Sequence, residues 1–144
     1  MKNLLIILFS ISFVAVAAQK KIKTPKNAIQ DLERFKEQPK FDEDFMLDYP
    51  GISDEVYRPE LISLINLSAD DFIEIASKTT PTAKDYQEKI KEGLQRFSTV
   101  YPVLKTSDIE RIASYYEELM TIVNLNSSNG YISKFRRGIG FERN

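Results

Sequence analysis

The chain has 144 residues, 28% of them charged and 42% hydrophobic, with a formal net charge of −1, the profile of one globular domain rather than a disordered or fibrous protein. Cysteine, histidine and tryptophan are all absent, which excludes disulfides, thiol nucleophiles, imidazole bases, Cys/His zinc sites and the Ser-His-Asp triad. Any catalysis would have to rest on carboxylates.

Met1-Lys2-Asn3 carries one positive charge, and from Leu4 the chain runs without charge to Ala15-Val16-Ala17-Ala18. This pattern predicts a secretory signal peptide over residues 1–18, with Val16 and Ala18 as the small residues that a peptidase reads. Cleavage after Ala17 satisfies the same rule. The apolar run is shorter than the roughly twenty residues needed to span a bilayer, and with no cysteine after it there is no lipid anchor. The expected product is exported to the periplasm or medium, with no stable membrane anchor after cleavage.

Residues 19–26 hold four lysines and Pro25 without apolar periodicity, and are expected to form a flexible basic leader. Residues 27–144 are then a single helical domain. Ile29, Leu32 and Phe35 stripe a first short helix that ends before Pro39. Lys40 to Tyr57 reads as an acidic surface loop around the Tyr49-Pro50-Gly51 turn, anchored by Phe41, Phe45, Met46 or Leu47. Pro59 opens a second helix bearing Leu61, Ile62, Leu64 and Ile65, and Ser68 is expected to cap a third, with Asp70 and Asp71 against its N-terminal dipole.

Thr80-Pro81 repeats the cap signature before a longer helix to about Ser98, striped by Tyr86, Ile90, Leu94 and Phe97. Opposite charges four apart lace its outer face, at Lys84 and Glu88, Asp85 and Lys89, and Glu92 and Arg96. Gly93 beside the stripe invites close approach of a neighbour. Ser107-Asp108-Ile109-Glu110 has the spacing of a capping box, and Ile109, Ile112, Ala113, Tyr116, Leu119, Met120 and Val123 give the strongest buried face. Asn126 to Gly130 breaks the pattern. A short helix within Ser128 to Arg137 then leads into a tail whose apolar residues are expected to dock on the bundle. No alternating run demands a sheet. The fold class is therefore all-α, a single compact bundle of about five helices.

Charge is segmented. Residues 19–40 carry a net +4, residues 41–75 a net −9 and residues 131–144 a net +3. The acidic middle could meet a cationic partner, but Asp42 to Asp48 fails as a calcium loop because Met46 takes a ligand position and no glycine follows. The Arg136-Arg137 pair beside Phe135 and Tyr131 could bind an anionic surface, although the acidic pI of about 5.6 argues against nucleic acid. Asp70-Asp71 and Glu117-Glu118 are the adjacent carboxylates, and helical neighbours point about 100° apart instead of converging on one substrate. No residue is assigned to catalysis, cofactor or metal.

The run Tyr115-Tyr116-Glu117-Glu118-Leu119-Met120-Thr121-Ile122-Val123, followed by Leu125, Ser127-Ser128 and Gly130, resembles domain-of-unknown-function family 4844. Asp108-Ile109-Glu110-Arg111-Ile112, Gly93-Leu94-Gln95-Arg96-Phe97, Thr80-Pro81-Thr82 with Tyr86, and Pro50-Gly51-Ile52-Ser53 extend the likeness backward in the same order. The resemblance implies a small helical bacterial domain and assigns no activity; it does not reach the Arg-rich ending from Lys134.

The reading is thus an exported, non-enzymatic helical module that binds a protein or an envelope component. Its contact candidates are Tyr49, Asp54 and Glu55 in the acidic loop, Tyr115 at the edge of the buried stripe, and Arg136 and Arg137 in the tail. The alternatives are a carboxylate-based hydrolase and a carrier of a small apolar ligand within the bundle.

Overall fold

The computed structural model describes residues 19–141. The expected signal peptide lies outside the described residues. Five α-helices follow one another: α1 (Ala28–Glu37), α2 (Arg58–Ala76), α3 (Ala83–Gln95), α4 (Thr106–Ile122) and α5 (Tyr131–Arg136). Four short 3-10 turns join them, at Phe45–Leu47, Glu55–Tyr57, Arg96–Thr99 and Tyr101–Val103. Helix α1 packs on α2 and α4, α2 on α3, and α5 bridges α3 and α4. The expected stripes meet at the centre, where Leu32, Phe35, Leu61, Ile65, Phe72, Tyr86, Ile90, Ile112 and Leu119 are buried. The all-α fold is as the periodicity predicts.

Three boundaries differ from the sequence reading. Residues 58–76 form one helix, because the Ser68 hydroxyl donates back to the Leu64 carbonyl at 3.2 Å and lies 2.6 Å from the Tyr116 hydroxyl. A serine satisfied inside the helix does not cap a new one. Helix α3 is capped by Thr82 rather than Thr80: its hydroxyl accepts from the Asp85 amide at 3.2 Å while the Asp85 carboxylate accepts from the Thr82 amide at 2.9 Å, a reciprocal box. Helix α4 has no side-chain cap, since its N-cap position falls on Lys105 and Asp108 is engaged elsewhere.

The basic segment expected to be loose is tied along the start of α3. The Ile22 amide donates to the Pro81 carbonyl at 3.0 Å and the Ala83 amide to the Lys20 carbonyl at 2.9 Å. Gly93 performs the role its position suggests: a Cβ there would meet the Tyr116 hydroxyl at 2.5 Å and Ser68 Oγ at 2.7 Å.

Candidate functional site: an exposed apolar turn on an aromatic clamp

The segment after α1 is held down residue by residue. Lys40 is buried, its ammonium donating to the carbonyls of Phe35 at 2.5 Å and Gln38 at 3.1 Å; these C-terminal carbonyls of α1 need donors. Desolvation lowers the Lys40 pKa. Phe41 follows with φ of 65° and is fully buried, its ring 5.2 Å from that of Tyr115. Its amide donates to the Tyr115 hydroxyl at 2.7 Å and its carbonyl accepts from the Ile52 amide at 3.0 Å. The segment therefore closes on itself over α4.

Within that closure, Asp44 and Tyr49 exchange two backbone hydrogen bonds of 2.9 and 3.0 Å. Phe45-Met46-Leu47 forms the turn between them, with Asp48 left-handed at φ 50°. The Asp44 carboxylate accepts from the Met46 amide at 3.0 Å and pairs with Arg111 at 3.4 Å. Arg111 lies over the Tyr115 ring at 4.4 Å and the Tyr49 ring at 5.6 Å. The Tyr49 hydroxyl donates to buried Asp108 at 2.8 Å, and the Ser53 amide approaches the same carboxylate at 3.4 Å. Desolvation first, and then Asp108, push the Tyr49 phenol far above its ordinary range.

This base holds three apolar side chains out in solvent. Phe45 is 85% exposed, Met46 93% and Leu47 52%. Of the four anchors that the sequence suggests, Phe41 alone is buried, and Tyr49 joins it in that role. A cleft of about 220 Å³ lies beside the turn, lined by Leu47, Tyr49, Thr106, Ser107, Glu110 and Arg111 among others.

The other expected contact residues are distributed as follows. Tyr115 is buried rather than at an edge. Asp54 caps the second 3-10 turn, accepting from the Val56 amide at 3.0 Å. Glu55 takes both its oxygens to Arg58, at 2.6 and 2.8 Å, while Arg58 also reaches Asp42 at 2.8 Å. Arg136 is paired with Glu110 and Glu117, each at 2.9 Å. Arg137 stays exposed. The tail docks through Tyr101, whose hydroxyl donates to the Phe135 carbonyl at 2.7 Å and whose ring stacks on Phe141 at 4.6 Å.

The carboxylates disperse. Asp70 pairs with Lys36 on α1 at 2.6 Å and Asp71 with Arg96 beyond α3 at 2.7 Å. No three acidic side chains among the described residues gather as a metal would require. The loop residues Phe45 and Met46 were the ones whose role sequence reasoning missed: exposed and buried apolar residues look alike in a segment without periodicity.

The family model described as Domain of unknown function (DUF4844) matches residues 23–140. The chain belongs to this family. The match takes in all five helices and the apolar turn, and includes Lys134 to Gly140 of the tail, which the sequence resemblance left uncovered. A crystal structure of a DUF3571 family protein from Acinetobacter baumannii AYE is similar in fold, with a TM-score of 0.70 and 31% identity, covering 77% of this chain and 89% of that one. No curated protein matches the chain. Neither family description carries an activity, so the functional reading rests on the geometry of this chain.

Proposed function

We propose that this protein is an exported, non-enzymatic binding module that presents the Phe45–Leu47 turn to a protein surface. The observation that carries the reading is the pairing of exposure with rigidity: three consecutive apolar side chains stand in water on a base fixed by the Asp44–Tyr49 bridge, the Tyr49–Asp108 bond and the Arg111 stack. Exposed apolar clusters of this kind mark interaction sites, and a preorganised loop loses little entropy on binding. Glu43 and Asp48 flank the turn and are exposed, which suits a partner whose apolar socket has a cationic rim. Arg136 is a weaker contact candidate because Glu110 and Glu117 already use its charge. The export half of the proposal rests on the charge and apolar pattern of residues 1–18.

A photo-crosslinking residue placed at Met46 tests the docking element in the native host. The expected result is a discrete adduct to one protein that disappears when Phe45→Ser is added and persists when Arg137→Ser is added. A smear of products, or an adduct indifferent to Phe45, would refute it. Mass spectrometry of the secreted fraction tests export: the mature chain should begin at Gln19, or at Ala18 if the peptidase cuts one residue earlier, and a full-length chain retained in the cell would count against it.

A further inference from the structure

Between α3 and α5 lies an open apolar groove of about 170 Å³. Leu94 and Phe135 form its buried floor, Tyr131 and Ile139 its walls, and Lys91 and Lys134 its rim. Ile139 is 47% exposed, although it borders the docked aromatic tail. Neither lysine forms an ion pair among the described residues, while Lys134 sits 5.9 Å from the Tyr131 ring centroid. The groove thus offers what the turn lacks: an apolar recess with positive charge at its edge, against an apolar projection with negative charge at its edge.

We propose that the partner of the Phe45–Leu47 turn is a second copy of this chain, whose α3–α5 groove receives Phe45 and Met46 while Lys91 and Lys134 face Glu43 and Asp48. This rests on the reading of the turn as the contact element. Charge complementarity carries it: Glu43 and Asp48 beside the turn, like Lys91 and Lys134 beside the groove, are exposed and form no ion pair among the described residues. Because the two surfaces are different, the contact is heterologous, and it repeats from copy to copy until a ring closes or a chain grows. Opposite rims steer the encounter and fix its register, so the association weakens with salt as the charges are screened.

Sedimentation and light scattering on residues 19–144, which hold every described element, test this directly. At low salt the wild type should show a weight-average mass rising with concentration to about twice the monomer's or more, and falling back in about 1 M salt. Met46→Asp and Lys134→Glu, both at exposed positions, should each be monomeric with unchanged helicity. Mixed one to one, they should recover a dimer and nothing larger, because the Lys134→Glu chain keeps an intact turn and the Met46→Asp chain an intact groove. A wild type that stays monomeric at all concentrations, or variants whose mixture stays monomeric, would overturn the proposal. If the wild type is monomeric and the Met46 crosslink still captures a different protein, self-association fails while the docking turn stands.

Discussion

At the scale of single residues, the molecule depends on phenols placed where water is excluded. The Tyr49 hydroxyl is the close partner of buried Asp108, and a buried carboxylate robbed of a donor loses about 1–3 kcal/mol. Tyr49→Phe should therefore lower the unfolding free energy by that amount, read from the urea midpoint at constant slope, without altering the helical signal, and should also increase the mobility of the apolar turn. Burial raises the pKa of Tyr49, Tyr86, Tyr115 and Tyr116 above the ordinary phenol value. The sign follows from linkage: the unfolded chain releases these protons near pH 10 and the folded one holds them, so their contribution is whole below about pH 10 and is lost as pH rises through the folded values. Above about pH 9 the unfolding free energy should fall with rising pH, and less steeply in Tyr49→Phe than in the wild type.

Gly93 makes a second residue-level point. Alanine normally gains about 1 kcal/mol over glycine inside a helix. Here its methyl would collide with the hydroxyls of Tyr116 and Ser68, and overpacking costs about 1–3 kcal/mol. Gly93→Ala should therefore destabilise, and should cost less in a Tyr116→Phe background; additivity of the two in denaturant melts would mean that the close approach is not the cause.

Between elements, the contrast of Asp70 with Asp71 shows why spacing alone misled. Both read from sequence as compensation for a helix dipole at Ser68, yet Ser68 sits inside α2 and the two acids point to different helices. The Asp71 side chain is 11% exposed and faces Arg96, whereas that of Asp70 is 52% exposed and faces Lys36. Removing one partner of a buried pair leaves an uncompensated charge, whereas exposed pairs contribute little. Asp71→Asn should cost about 2 kcal/mol and Asp70→Asn under about 1 kcal/mol, read from the shift in urea midpoint at constant slope. The same reasoning covers the i, i+4 pairs expected along α3: Asp85 turns to Thr82 and Lys78, Arg96 turns to Asp71, and Lys89 takes Glu92 three residues on at 3.4 Å with Asp71 at 3.9 Å. A side chain four residues away is worth only a few tenths of a kcal/mol, so a neighbour on another element easily takes its place.

For the whole molecule, a bundle without cysteine, and without a gathering of acids fit for a metal among the described residues, is stabilised by burial. Stripes at helical spacing were sufficient to read the all-α class, the stripes of α1 and α3, the buried face of α4, the close approach at Gly93 and a tail that packs through its apolar residues, since amphipathic periodicity is local and each stripe must be covered by something. The missing residue types likewise excluded whole classes of chemistry without any coordinates. Only the tertiary structure decided that Ser68 lies within one long helix, that Tyr115 is buried, that Arg136 is spent on Glu110 and Glu117, and that Phe45 and Met46 face water while Phe41 and Tyr49 do not. Those outcomes depend on which element lies across from each side chain, a long-range fact that a nonperiodic loop or a local charge pattern does not encode.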